Sequence, residues 1–307
     1  MKKEPSNPDI PFPELSGIKK RLVNSGHDIV MNDPEGITYQ HSIFCQTGLP
    51  YRNPDENTLS WTRTQGHVTL LVEAGKIFNP ITKQFINVGL PYGPKPRLIL
   101  THLNSQALKT GSPIIEVESS LTAFVKRLGL DGNGRDIKAI KNHLSRLSVA
   151  TIRLGFSADD HALQVNTQII TSFDLWFKKN DQERIIWPST VQLSNDYFNS
   201  LINHAVPLDE RAVTALSHSA MCLDIYTWLA QRLHRIKKEK PQFITWLAIK
   251  DQFGFHYERM DNFKRIFRTT LNMVHSQYPD ARFQLDGKGI TLQHSLPPVK
   301  NKHHLLH

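Results

Sequence analysis

Apolar residues recur at helical spacing in three consecutive segments of the first half of the chain. Spacings of three and four positions are typical of amphipathic helices with one buried face. The three predicted helices cover residues 98–108, 121–128 and 135–148. Alternating apolar and polar residues then predict a β-hairpin over residues 151–173. A winged-helix domain is predicted from this order of elements, which is two helices, then a basic amphipathic helix, then a hairpin.

The same order of predicted elements recurs in the second half of the chain, without obvious sequence identity. Its elements are a long helix over 211–235, a strand at 243–244, a short helix over 245–253, an amphipathic helix over 261–278 and a hairpin over 283–292. Thr245 is a favourable N-cap for the short helix, and Gly254 is a favourable end for it. We therefore predict an α+β protein with two tandem winged-helix domains.

The start of the chain shows weak periodicity and several prolines, which favours a flexible N-terminal arm. Alternation at 68–72, then Ile77 and Phe78, the turn signal Asn79-Pro80 and a short apolar strand at 85–88 predict a further hairpin. The predicted divisions are a flexible arm at 1–54, a first winged-helix domain for DNA binding and dimerisation at 55–186, a second for DNA binding at 187–298 and a C-terminal tail at 299–307.

Composition favours a folded, basic protein. Of the 307 residues, 39% are hydrophobic, which is enough apolar material for two cores. Lys and Arg number 37 against 28 Asp and Glu, so the formal charge is +9. That charge favours a polyanionic partner over a neutral one. On composition alone, a basic protein without a charged partner is the alternative.

The two cysteines and the N-terminus indicate the compartment. Cys45 and Cys222 lie far apart in sequence, so neither a disulfide framework nor a zinc site is indicated. The N-terminal lysines are followed by prolines and acids where a signal peptide has its apolar core, and no apolar run has membrane-spanning length. We predict a cytoplasmic protein that does not enter a membrane.

Both predicted basic helices divide into an apolar face and a face of Lys, Arg, Asn and Ser. A helix in the major groove of DNA needs this division, because one face anchors it and the other meets phosphates and base edges. The candidate DNA-binding residues of the first helix are Arg135, Lys138, Lys141, Asn142, Ser145 and Arg146. Those at the second helix are Arg259, Asn262, Lys264, Arg265 and Arg268. For each helix alone, a solvated charged face is the alternative interpretation.

A third basic cluster ends the long helix of the second half. Its residues are Arg232, His234, Arg235, Lys237, Lys238 and Lys240. We predict that Arg235, Lys237 and Lys238 contact phosphates. Stabilisation of the helix dipole by nearby cations could account for part of the cluster instead.

A DNA-binding protein can also be a helicase, a primase or a nicking enzyme, and each of these carries a catalytic motif. The sequence has no Gly-x-x-x-x-Gly-Lys-Ser/Thr phosphate loop and no Asp-x-Asp pair for two metal ions. Its histidines are mostly isolated, so the paired histidines of a nicking enzyme are missing as well. We predict no catalytic residues, no metal site and no cofactor.

Five stretches of the chain resemble the plasmid-encoded RepA family of replication proteins. They are FCQTGLPYRNP at Phe44–Pro54, VGLPYGPKPRLILTHLN at Val88–Asn104, EVESSLTAFVKRLGL at Glu116–Leu130, VPLDERAVTALSHSAMCLDIYTWLAQRLHR at Val206–Arg235 and FKRIFRTTLNMVHSQYPDAR at Phe263–Arg282. The resemblance covers nearly all of residues 42–298. Five motifs in the right order make chance similarity improbable.

The resemblance implies initiation of plasmid replication in a bacterial host. Such proteins bind short direct repeats in double-stranded origin DNA, help to open the adjacent duplex and recruit the host initiator and replicative helicase. Many tandem winged-helix initiators also repress their own promoter as homodimers. Two other functions stay open from the sequence: a winged-helix transcriptional regulator without a replication role, and an enzyme of plasmid DNA processing.

Overall fold

The computed structural model describes residues 16–55, 57–79, 82–116, 121–158, 161–173 and 190–299. Its helices are α1 Gly17–Met31, α2 Ser42–Gln46, α3 Pro94–Thr110, α4 Leu121–Arg127, α5 Gly134–Val149, α6 Asn195–His204, α7 Glu210–Leu216, α8 Ala220–Arg232, α9 Trp246–Phe253 and α10 Met260–His275. Its strands are β1 Ile37–His41, β2 Ser60–Gln65, β3 Val68–Glu73, β4 Lys76–Asn79, β5 Gln84–Asn87, β6 Ile114–Glu116, β7 Thr151–Ala158, β8 His161–Gln168, β9 Ile170–Phe173, β10 Thr190–Leu193, β11 Ala205–Asp209, β12 Gln242–Thr245, β13 Phe283–Leu285 and β14 Gly289–Leu292. The protein is therefore a mixed α and β structure with several small sheets.

The N-terminal residues 17–49 are folded into the body of the protein. Helix α1 packs on α7 and buries Leu22. Strand β1 pairs with β11 along its whole length, and Ile43, Phe44 and Cys45 of α2 are buried against α8. The predicted flexible arm is wrong for these residues, because their partners lie far away in sequence and leave no local periodicity. Residues 1–15 lie outside the described residues.

Two units of the chain share one arrangement of elements. The first unit consists of α3, β6, α4, α5, β9 and β10, with β7 and β8 intervening after α5, and its strands lie in the order β6-β10-β9. The second runs α8, β12, α9, α10, β13, β14, with strand order β12-β14-β13. In both units the last strand lies between the other two and is antiparallel to each. The repeated order predicted from the sequence therefore corresponds to a repeated sheet topology.

The predicted hairpin after the first basic helix joins a different sheet. Strands β7 and β8 pair with each other, but β7 also pairs with β3, giving a four-stranded sheet in the order β2-β3-β7-β8. The strands that match β13 and β14 of the second unit are β9 and β10. The further hairpin predicted around Asn79-Pro80 corresponds to β4 and β5, which pair as in Phe78↔Phe85, whereas residues 68–72 belong to β3 in the four-stranded sheet.

The predicted domain boundary at residue 186 falls, in sequence, between two strands of the same sheet. Strand β10 pairs with β9, as in Val191↔Phe173, and with β6, as in Val191↔Ile115. The run Thr190–Leu193 thus completes the sheet of the first unit from beyond the boundary, so the boundary does not separate the two units. The stretch Ile186–Pro188, which carried the prediction, lies outside the described residues.

The predicted long helix over 211–235 is two helices. Helix α7 ends at Leu216, and α8 starts at Ala220 after a break at Ser217–Ser219. The Ser219 hydroxyl accepts a hydrogen bond from the Cys222 amide, which caps the new helix. Apolar residues continue on both sides of the break, and for this reason the periodicity did not reveal it.

The first helices of the two units, α3 and α8, are joined by a buried ion pair. The Arg97 Nε atom lies 2.6 Å from Asp224 Oδ1, and Arg97 Nη2 lies 2.8 Å from Asp224 Oδ2. The remaining guanidinium hydrogens reach the carbonyl oxygens of Gly93, Leu49 and Pro50. Both side chains are less than a tenth exposed. Full pairing of this kind is what a buried charge requires.

Removing one partner of this ion pair is expected to destabilise the protein strongly. Arg97→Met leaves the Asp224 carboxylate buried without a cation and should lower the free energy of unfolding by about 3–5 kcal/mol. The control is Arg153→Met, whose ion pair with Glu73 is about a third exposed and should cost about 1 kcal/mol or less. Denaturant titration at neutral pH measures both.

The double variant Arg97→Met/Asp224→Leu tests the same explanation. It should recover much of the lost stability, because no unpaired charge is left in the interior. Equal losses for Arg97→Met and Arg153→Met would show that the buried pair has no special role.

Candidate nucleic-acid interface

Helix α5 presents the first set of predicted DNA-binding residues. The Asn133 side chain caps the helix by accepting from the Asp136 amide at 2.9 Å. Four residues anchor the inner face and are buried: Ile140, His143, Leu144 and Leu147. The side chains of Arg135, Lys138 and Asn142 are exposed. Neither Arg135 nor Lys138 has a hydrogen-bond or ion-pair partner among the described residues, so both cations are available to a ligand.

Arg146 is held by the protein itself. Its Nε donates to Asn142 Oδ1 at 2.6 Å, and its Nη1 donates to the Leu90 carbonyl at 2.8 Å. The guanidinium also lies 5.1 Å from the centre of the Tyr92 ring. These contacts orient the outward face of α5 but leave Arg146 fewer donors for a ligand. Two further predicted residues, Lys141 and Ser145, are half-buried.

A buried histidine supports this face of α5 from behind. The ring of His143 packs edge-on against Tyr92 at 4.7 Å between centroids. Burial, together with the nearby cations Arg146 and Lys95, lowers the pKa of His143 to about 4. The ring is therefore neutral near pH 7, so it adds no charge beneath the cationic face.

Helix α10 presents the second set of predicted residues. Its buried side is formed by Phe263, Phe267, Thr270, Leu271 and Val274. On the other side, Asn262, Arg265 and Arg268 are exposed, and Arg265 Nη2 donates to Asn262 Oδ1 at 3.0 Å. Arg259 precedes the helix and pairs with Asp261 at 2.6 Å, with both side chains largely exposed. Water screens that pair, so it contributes little to stability.

The turn between β13 and β14 lies beside α10 and adds a cation that the sequence analysis did not select. Lys264 Nζ lies 3.3 Å from the Gly287 carbonyl, and Arg268 Nη2 lies 3.5 Å from the Asp286 carbonyl. Each cation is also 5.3 Å from the ring centre of Trp246, whose Nε1 donates to the Asp286 carbonyl. Exposed Lys288 follows in the same turn. We call Lys264, Arg268 and Lys288 the turn cluster.

The geometry of that turn is fixed by one carboxylate. Asp286 Oδ1 accepts from the backbone amides of Lys288 and Gly289, each at 2.7 Å. These hydrogen bonds lower the pKa of Asp286. The Asp-Gly-Lys-Gly sequence already indicated a turn, and a lysine at its tip was the available signal for Lys288.

The basic cluster after α8 lies away from the turn cluster. Arg235, Lys237 and Lys238 are exposed in the connection that leads into β12. Gln242, the first residue of β12, pairs with Leu292, whereas Thr245, the last residue, pairs with Gly289 beside the turn. The two clusters are therefore at opposite ends of a sheet that is about 10 Å long at 3.3 Å per residue. The structure does not bring Arg235, Lys237 and Lys238 together with α10.

A family model described as plasmid-encoded RepA protein matches residues 90–248, from just before α3 into α9. This match spans just over half of the chain. The chain belongs to the plasmid-encoded RepA family. The matched segment contains α5 as well as α3 and α8, the two helices that carry the buried ion pair.

Solved structures give more distant similarities. A structure of domains 2 and 3 of RctB is 7% identical over 80% of this chain and 94% of that chain, with a TM-score of 0.48. A second structure of RctB domains 2–3 is 8% identical over 81% of this chain and 94% of that chain, with a TM-score of 0.47. These similarities are too distant to support an inference about fold or function. No curated protein matches the chain.

None of the helices among the described residues is long and apolar enough to cross a membrane. Within the same residues, no group of three or more His, Cys, Asp or Glu side chains is arranged to hold a metal ion.

The low pKa of His143 is expected to make stability depend on pH. Below its ordinary value of 6.5, the unfolded chain binds a proton that the folded protein does not bind until about pH 4. The free energy of unfolding should therefore fall as the pH drops from about 6.5 to 4, by at most roughly 1.4 kcal/mol per pH unit for this group. His143→Gln should flatten this dependence in denaturant titrations.

His67→Gln is the matched control, because His67 is exposed. This variant should keep the wild-type dependence of the free energy of unfolding on pH. That dependence includes a contribution from His41, because burial also lowers the pKa of His41 to about 4. A wild-type slope in His143→Gln would contradict the explanation.

Proposed function

We propose that this RepA family member initiates plasmid replication by binding origin DNA through two winged-helix units. Family membership supports the role in replication. The repeated arrangement supports the mode of binding, since each unit ends in a three-stranded sheet and presents a basic helix packed beside it. The observation that carries the proposal is this repetition of an exposed cationic helix, α5 in one unit and α10 in the other.

In the second unit, α10 is the proposed groove-binding helix and the β13–β14 turn is the proposed wing. An α-helix fits the major groove, where Arg reads guanine and Asn reads adenine through paired hydrogen bonds. Asn262 and Arg265 lie on the exposed side of α10, and Lys288 extends from the turn. The turn cluster is therefore suited to phosphates on either side of the groove.

In the first unit, Arg135, Lys138 and Asn142 of α5 are the corresponding proposed contacts. Strands β9 and β10 occupy the place of β13 and β14, and the residues between them lie outside the described residues. Arg146 is proposed to position Asn142, because its Nε donates to that side chain. For Lys141 and Ser145, which are half-buried, we propose contacts with phosphate only.

The remaining parts of the predicted role are proposed on the same basis. We propose that bound copies on adjacent repeats open the neighbouring duplex by binding energy alone, and that the protein recruits the host initiator and helicase. Self-repression as a homodimer, and a cytoplasmic location in the bacterial host, complete the proposed role. A transcriptional regulator without a replication role is the second candidate, because the same two helices would serve it.

Binding to short duplexes tiled across the plasmid region around the gene tests the proposal directly. Fluorescence anisotropy should find tight binding to a few repeated segments and weak binding elsewhere. Replication of a plasmid that carries those segments, with the protein supplied in trans, separates an initiator from a regulator. Binding without replication would favour the regulator, and absence of duplex binding would remove both.

Loss of a phosphate contact is expected to change the salt dependence of binding. Lys138→Gln in α5 or Lys288→Gln in the turn should weaken binding to every sequence and make the slope of log K against log salt less negative by about 0.9 per contact. Lys20→Gln, at an exposed lysine of α1, is the control and should leave the slope unchanged. Anisotropy titrations at several salt concentrations measure the slope.

Loss of a base contact should have a different signature. Asn142→Ala or Arg265→Ala should cost roughly 1–3 kcal/mol on the cognate repeat and little on unrelated duplexes. Wild-type specificity in both variants would show that α5 and α10 do not read the bases. Lys237→Gln/Lys238→Gln tests the cluster after α8 in the same assay.

The proposed mechanism requires no catalysis by this chain. Purified protein with magnesium is expected neither to nick supercoiled origin DNA nor to hydrolyse ATP, because the sequence lacks the phosphate loop, paired acids and paired histidines of such enzymes. Gel analysis of plasmid topology and a phosphate-release assay provide the measurements. Magnesium-dependent nicking that survives rigorous purification would assign the chain to a class of nicking enzymes.

A further inference from the structure

The β4–β5 hairpin exposes large apolar side chains. Its two strands form a sheet of their own. Phe78 is 45% exposed, Phe85 is 68% exposed and Ile86 is 42% exposed. A two-stranded hairpin is marginally stable in water by itself, and clustered apolar exposure marks a surface that binds something. We therefore expect the hairpin to bind a partner outside the fold.

The strand register gives the hairpin two apolar faces. Phe78 lies opposite Phe85, with ring centroids 5.4 Å apart, whereas Ile77 lies opposite Ile86. Successive residues of a strand alternate between faces, so the phenylalanines occupy one face and the isoleucines the other. A ribbon that is apolar on both faces fits between two surfaces better than onto one. That shape suits insertion into a narrow space.

The charge of the hairpin favours a polyanion as its binding partner over the surface of another basic protein. Residues 75–88 contain no Asp or Glu, and Lys76 and Lys83 are both exposed. Neither lysine has an acidic partner among the described residues. Lys83 adopts the left-handed backbone region, with φ of 53°, in the segment just before β5. A second copy of this chain would bring like charges together, so DNA is the better match.

The base of the hairpin adjoins the proposed DNA-binding face of α5. Lys138, Asn142 and Arg146 follow one another at four-residue spacing and so form one line along the helix. At the end of this line, Arg146 Nη1 donates to the Leu90 carbonyl, three residues after β5. A four-residue strand is about 10 Å long, comparable with the 12 Å width of the major groove. The hairpin is therefore of a size to lie against the DNA beside that groove.

We propose that the β4–β5 hairpin is a wedge that inserts Phe78 and Phe85 into the duplex beside the segment bound by α5. This inference rests on the proposed DNA binding and adds a device for distorting the DNA. Apolar side chains inserted from the minor groove unstack a base step and kink the duplex. Lys76 and Lys83 contact the phosphates on either side of the opened step.

Permanganate footprinting tests the wedge, because permanganate oxidises unstacked thymines. The probe is a supercoiled plasmid carrying the tiled segment that binds most tightly, with every protein at saturating occupancy. Phe78→Ser/Phe85→Ser should bind the segment within about threefold of wild type but lower thymine reactivity beside it by about tenfold, since the unstacking group is lost. Phe85→Leu should keep the reactivity, because leucine also serves as a wedge.

Val23→Ser is the matched control, at an α1 side chain that is 57% exposed. It should keep both binding and reactivity. Wild-type reactivity in Phe78→Ser/Phe85→Ser, or no reactivity with wild-type protein on bound DNA, overturns the wedge and leaves the proposed function intact. Two other results for Phe78→Ser/Phe85→Ser likewise overturn the wedge. One is loss of self-association, measured by sedimentation. The other is loss of binding to single-stranded oligonucleotides while duplex binding and thymine reactivity are unchanged. If wild-type protein binds no duplex, the proposed function fails first, and the wedge fails with it.

Discussion

The buried ion pair between Arg97 and Asp224 is the constraint on which the arrangement of the two units depends. It joins the first helix of one unit to the first helix of the other, and every hydrogen of the guanidinium has an acceptor. Because a buried charge tolerates little displacement from its partners, α3 and α8 have a defined relative position. The basic helices α5 and α10 pack on α3 and α8 respectively, so the spacing between the two basic helices follows from this contact.

Local patterns were sufficient to predict the helices of each unit. The sequence predicted α5 at 135–148 and α10 at 261–278, within a few residues of their observed bounds. Long-range pairing was not predictable in this way. Strand β10 completes a sheet whose other strands precede it, and β1 pairs with a strand from the other half of the chain. Neither pairing leaves a signal in the periodicity of the strands themselves.

The candidate interface shows the same division between local and long-range information. Periodicity identifies which residues of α5 point outward, but it cannot show that residues 89–92 cover one of them. Arg146 belongs to the outward face and yet contacts Leu90 and Tyr92. Lys288 was missed for the converse reason, because a lone lysine in a turn has no pattern until the fold places Lys264 and Arg268 beside it.

The pairing of β1 with β11 also bears on how the chain is made. His41 and Ala205 are partners although more than 160 residues separate them. At 5–20 residues per second, the ribosome exposes β1 on the order of ten to thirty seconds before its partner. Contacts so distant in sequence slow folding. The nascent chain must therefore hold an unpaired strand edge for that interval, which makes this segment the natural place for a chaperone to bind during translation.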